Sequence, residues 1–139
     1  MSESLDTLFD QGLEKYQAGE KAENLIPTFQ EVCDRDPKNS AAWTCLAWLY
    51  MLVDQPQKAL KAANKSVKLE PRDPQAQVNL ALAMLGAGEK GVRKHIDIVQ
   101  QAIRFDDRIR DTIKENIDEG LTRKPDWNSL QRVNKWLFG

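Results

Sequence analysis

The sequence predicts an all-α fold of stacked antiparallel helical hairpins, and three observations carry that expectation. Apolar residues recur with a helical period, as in Ala59, Leu60, Ala63 and Val67, whose spacing puts all four on one face. No run of alternating β-branched residues between turn signals occurs, so no segment reads as a strand. Punctuation also returns at a fixed interval. Asp34-Arg35-Asp36-Pro37 is echoed by Lys68-Leu69-Glu70-Pro71, with the two prolines 34 positions apart. A third mark, Arg104-Phe105-Asp106-Asp107, has Asp where the proline would stand.

The marks divide the chain into units of about 5–37, 40–73 and 74–107, followed by a tail, 108–139, all expected to form a single domain. In the first unit Asn24, ahead of Leu25-Ile26-Pro27, reads as the start of the second helix, with a break at Pro27 as the alternative. In the second unit the helix Ala41 to Leu52 is apolar nearly all round and must be covered on both sides. Asp54 ahead of Pro56, and Asp73 before Pro74, read as helix starts: a capping carboxylate nearby and a proline in the first turn, where its missing N–H costs nothing. In the tail, Ile109, Ile113, Ile117 and Leu121 make one stripe, so a helix runs to about Gly120. Lys124-Pro125 stops it, and Asp126 is placed to cap a last helix carrying Trp127, Leu130, Val133, Trp136, Leu137 and Phe138.

A 34-residue period with two helices per unit resembles the tetratricopeptide (TPR) repeat. In the middle unit Trp43, Leu46, Ala47 and Tyr50 match the family's first helix, and Ala59, Ser66 and Pro71 its second. The first unit contributes Leu8, Gly12, Tyr16, Gly19, Phe29 and Pro37; the third contributes Leu80, Ala81, Met84, Gly88 and Ala102. The resemblance implies a short right-handed solenoid with C-terminal capping helices. Small residues at Gly12, Ala47 and Ala81 let each first helix approach its partner, and Trp43, at the signature aromatic position, is expected to be enclosed. A solenoid end needs a cap, and the helix through Ile113 fits that role. The last helix is more apolar than a cap requires, so it is expected to pack on the body of the protein.

Composition narrows the function classes. The formal net charge is -1, so no global field favours nucleic acid or an anionic membrane. The charge is uneven: residues 1–39 hold nine acids against four bases, while 40–73 hold five bases against three acids. Two cysteines, Cys33 and Cys45, cannot make a disulfide-stapled scaffold, and one histidine, His95, excludes a site needing two imidazoles. The acidic opening Met1-Ser2-Glu3-Ser4-Leu5-Asp6 has no apolar core, so no signal peptide is expected, and a cytoplasmic location follows.

No catalytic constellation emerges. Gly86-Ala87-Gly88-Glu89-Lys90-Gly91 spells a dinucleotide-binding pattern, but that mechanism needs a preceding strand, and here a helix precedes it; an inter-helix turn is the better reading. Cys33 and Cys45 fall on apolar helix faces and read as core. His95 has no nucleophile for a partner. No enzyme activity, cofactor or metal is expected.

What the family resemblance adds is a concave groove lined by the first helices, the surface with which TPR domains bind peptides or helices. Mapped here, it comprises Phe9, Leu13, Tyr16, Trp48, Met51, Val78, Leu82 and Leu85, with Thr44 and Gln75 among them. The cationic clamp of the chaperone-binding members is missing: Phe9, Leu13, Cys45, Gln75 and Asn79 stand at its positions, and of these only Asn79 could contribute. The groove is either filled by the chain's own last helix through Trp136 and Leu137, or open to an apolar partner helix. A non-catalytic adaptor or assembly factor that binds another protein is the expected function, with no small-molecule substrate or nucleic acid. The alternative is an RNA- or ribosome-associated protein using a convex stripe of Lys58, Lys61, Lys65, Lys68 and Arg72, a stripe that could also face an acidic partner.

Overall fold

The computed structural model describes residues 4–139; Met1-Ser2-Glu3, part of the stretch read for a signal peptide, lies outside them. Eight α-helices and no strand occur among the described residues: α1 (Leu5–Gln17), α2 (Ala22–Arg35), α3 (Ser40–Leu52), α4 (Pro56–Leu69), α5 (Pro74–Ala87), α6 (Arg93–Phe105), α7 (Asp107–Arg123) and α8 (Asn128–Phe138). Side chains that accept from free backbone N–H groups start four of them. Ser4 caps α1, Asn39 caps α3, Asp73 caps α5 and Asp106 caps α7. Gly88 ends α5 in the left-handed conformation that a residue without Cβ adopts freely, so the glycine pattern at 86–91 is a turn.

Three helix starts differ from the sequence reading. The second helix begins at Ala22 rather than Asn24, and Pro27 lies inside it without breaking it. Both Pro27 and Glu23, whose carbonyl loses its N–H partner, are exposed, so water can satisfy the gap. Asp54 does not cap α4: Gln55 takes that position without a side-chain bond, while Asp54 adopts φ 60° in the turn and pairs with Lys124. Asp126 does not cap α8 either, because Trp127 occupies the cap position.

From α1 to α6 each helix packs on the next, and α3 also packs on α5. Close approach depends on small residues. A Cβ at Gly12 would come within 2.8 Å of the Phe29 ring, and Ala47 and Ala81 are fully buried. Helix α3 is covered on all sides, with Leu46 through Met51 buried in unbroken succession. The enclosed tryptophan of α3 is Trp48, 8% exposed, and not Trp43. Trp43 stands in the first turn of α3, half-buried, its indole N–H donating to the Pro37 carbonyl at 2.9 Å.

Both C-terminal helices fold back onto the repeats. The polar edge of α7 crosses the inner side of the first helices: Asn116 donates to Gln75 of α5, Gly120 abuts Trp48 of α3, and Lys124 donates to the Met51 carbonyl. Helix α8 lies on α5, α6 and α7. It buries Trp127, Leu130 and Val133, whereas Trp136 is 40% exposed and Leu137 half-buried. Leu130, Val133 and Leu137 share one helical face, and Trp136 stands at its edge, about 90° from the centre of that face. Both helices therefore cover part of the groove, and the α8-side aromatic against Trp48 is Trp127 and not Trp136.

Two outcomes are expected. A methyl group at Gly120 would stand 2.6 Å from the Trp48 ring and 2.8 Å from Leu130. Gly120→Ala should gain up to about 1 kcal/mol in helix propensity but lose about 1–3 kcal/mol to overpacking, lowering the urea midpoint. Trp127→Ala should cost about 3–5 kcal/mol by the same measurement, and Trp136→Ala less than about 1 kcal/mol, reversing the order if the register of α8 were wrong.

Candidate functional site

Where α7 crosses the inner face it leaves a cleft of about 430 Å³ between α1, α3, α5 and its own polar edge. The apolar floor is Leu13, Tyr16, Phe29, Cys45, Trp48 and Leu49, and the polar rim is Gln17, Thr44, Gln75, Asn79, Glu115, Asn116 and Glu119. No Lys, Arg or His lines it.

The wall next to α7 is held by a polar network. Trp48 Nε1 donates to the Tyr16 hydroxyl at 2.8 Å, and that hydroxyl donates to Glu119. The Arg123 guanidinium stacks on the Tyr16 ring at 3.9 Å and donates to Glu119 at 2.6 Å. It also donates to the carbonyl of Tyr16 in the last turn of α1, a position that suits a cation, and to that of Glu20 in the turn that follows. Burial, then the neighbouring Glu119 carboxylate, push the Tyr16 phenol well above its ordinary range. On the opposite wall an amide relay runs from Asn116 to Gln75 to Asn79, and Asn79 donates to the Thr44 carbonyl. Asn79 is thus 1% exposed with both ends of its amide engaged, so it is not available as a clamp residue.

The structure brings together only part of the sequence-derived groove. Leu13, Tyr16 and Trp48 meet around the cleft, with Phe9 beside them, edge-on to Phe29 at 5.7 Å. Met51, Val78 and Leu82 are buried in the core and offer no surface, because α3 and α5 pack on each other and under the C-terminal helices. Leu85 is half-buried outside the cleft lining. On the lysine stripe Lys58, Lys61, Lys68 and Arg72 are exposed and Lys65 half-buried. None of these five joins an ion pair among the described residues. Glu115, Asn116 and Glu119 were not foreseen. Their only signal is an Asn and two Glu within one and a half turns of an otherwise ordinary amphipathic helix.

Other chemistry is sparse. Cys33 and Cys45 are free thiols, each raised from 9.0 to about 12, chiefly by burial, so neither is a ready nucleophile. His95 Nδ1 donates to Gln77 at 2.7 Å, and burial, helped by Lys94, lowers its pKa. Among the described residues no cluster of His, Cys, Asp and Glu could hold a metal ion, and no helix is long and apolar enough to cross a membrane.

This architecture is that of a TPR-type helical repeat. The family model for the tetratricopeptide repeat matches residues 28–61, from the middle of α2 into α4. Its fold is similar to SycD, the type III secretion translocator chaperone of Yersinia enterocolitica, with a TM-score of 0.63 at 20% identity over 99% of this chain and 91% of that one. SycD in complex with a peptide of the translocator YopD gives 0.58 at 18% identity over 99% and 92%. The first TPR of Spaghetti (RPAP3), bound to the HSP90 peptide SRMEEVD, gives 0.56 at 16% identity over 97% and 94%. No curated protein matches the sequence.

The raised phenol and thiols give stability a pH dependence with a defined sign. Each group holds its proton more tightly folded than unfolded, so the stabilisation is complete below the unfolded values, near 9.0 for the thiols and 10.0 for Tyr16. It is lost as the pH rises beyond them. The urea midpoint should be level to about pH 8 and fall steadily above about pH 9. Tyr16→Phe should flatten part of that fall, and an unchanged slope would remove Tyr16 from the account.

Proposed function

We propose that this chain is a non-catalytic protein-interaction domain, an adaptor or assembly factor, whose concave cleft accepts an apolar side chain of a partner peptide or helix. The observation that carries this is the cleft itself. At about 430 Å³ with an apolar floor and convergent amides, it falls in the usual size range of ligand sites. Peptide complexes of two proteins with this fold, SycD with YopD and Spaghetti with an HSP90 peptide, support the reading. On this reading residues 1–139 act as one domain, with TPR-like hairpins at about 5–37, 40–73 and 74–107, and 108–139 shaping the groove they leave. Two free thiols suit a reducing, cytoplasmic setting.

Within the site, Leu13, Tyr16 and Trp48 are the contact residues and Phe9 the flank. Met51, Val78 and Leu82 are buried and Leu85 lies outside the lining, so none of the four is a contact residue on this reading. The lysine stripe supports a second reading, an acidic partner or RNA, because its cations are exposed and unpaired among the described residues.

Leu13 is half-buried at the cleft, so Leu13→Trp should fill the space, with its added indole N–H able to meet the polar rim. Partner proteins crosslinked to the wild type in cells should be lost from this variant while its circular dichroism stays helical. Retention in Leu13→Trp, with loss in Lys61→Glu/Lys68→Glu and strong salt sensitivity, would move the function to the stripe.

A further inference from the structure

The chemistry around the cleft says what kind of peptide fits it. On α1, Asp6, Asp10, Leu13 and Gln17 follow at steps of four, three and four and so share one stripe, of which Leu13 and Gln17 line the cleft. Asp6 and Asp10 carry that stripe outward as exposed carboxylates. Across the opening, Glu115 of α7 is also exposed on the lining. None of these three carboxylates is in an ion pair among the described residues. Glu119 is different, since Tyr16 and Arg123 already occupy it. Of the cations on that stripe of α7, Arg123 is already held by Glu119, the Tyr16 ring and two carbonyls, and Arg108 lies seven residues before Glu115, roughly 10 Å along the helix; neither is on the lining.

Resting on the groove reading above, we propose that the cleft is selective for a basic-apolar segment of a partner protein: a bulky apolar side chain enters over the floor formed by Leu13, Tyr16 and Trp48, and flanking Lys or Arg residues meet Glu115 on one side and Asp10 and Asp6 on the other. The arrangement rejects an acidic tail. A ligand carboxylate would face Glu115 across an apolar floor with no cation on the lining, and like charges brought together there repel. The apolar anchor supplies affinity and the exposed rim supplies selection, because solvated ion pairs contribute little each but act together.

The test uses two labelled synthetic peptides of equal length, with identical Leu-Phe anchors flanked by Lys in one and by Glu in the other, read by fluorescence anisotropy on the whole chain. The Lys peptide should bind about tenfold more tightly than the Glu peptide at low salt, and the gap should narrow as salt screens the rim. Asp10→Lys/Glu115→Lys should reverse the preference, whereas Glu89→Lys, in the exposed turn after α5, should leave it unchanged. A Lys peptide whose anchors are replaced by Ser should not bind, and its binding would show a diffuse charge effect and overturn the proposal. Equal affinity for both anchored peptides overturns the charge selection and leaves the groove reading standing. If neither anchored peptide binds, the groove reading falls and this inference with it.

Discussion

Trp48 stands where four helices meet, and its indole makes a different kind of contact with each neighbour. Its ring lies 5.0 Å from that of Trp127, its edge presses on Gly120, and its N–H is spent on the Tyr16 hydroxyl. A tryptophan can be this deeply enclosed only if its one donor is satisfied. The side chain that satisfies it, Tyr16, is itself pinned by Glu119 and Arg123 from α7. The path of α7 over the inner face and the docking of α8 behind it therefore both depend on the environment of a single indole.

Polar chemistry then decides how far that closure goes. The buried amides Gln77 and Asn79 each engage both ends, Gln77 with Pro71 and His95 and Asn79 with Thr44 and Gln75. No buried side-chain polar atom among the described residues lacks a partner. Satisfied networks of this kind favour one arrangement over near alternatives, since each lost partner would leave a costly orphan. The side chain of Asn116 joins the relay through Gln75, which holds α7 at a fixed standoff from α3 and α5. The cleft is the space this standoff preserves.

The same features explain why the cleft differs from an anion clamp. The cations nearest to it, Arg123 and Lys124, are turned to internal duties: one caps the end of α1 and the other bonds to Met51 and Asp54 at the end of α3. With those charges consumed, the opening keeps only amides and carboxylates around an aromatic floor. The four lysines of α4 join no ion pair among the described residues and none lies on the cleft lining.

The helices, their pairing into hairpins and the need to cover α3 were legible in the sequence, because periodicity, caps and all-round apolarity are local properties of the chain. So were the close approach at Gly12 and the burial of Ala47 and Ala81. The half-buried setting of Trp43, the choice of Trp127 over Trp136 and the withdrawal of Met51, Val78 and Leu82 into the core were not. A helical period says which face of a segment is apolar but not which distant face it will meet. The decisive contact, Tyr16 with Glu119, joins residues 103 positions apart, and no local spacing encodes it. The rim of the cleft was hidden for the same reason. Glu115 and Asn116 look like ordinary solvated residues until α7 is laid across α3 and α5, and only the tertiary fold gives them an apolar floor to stand beside.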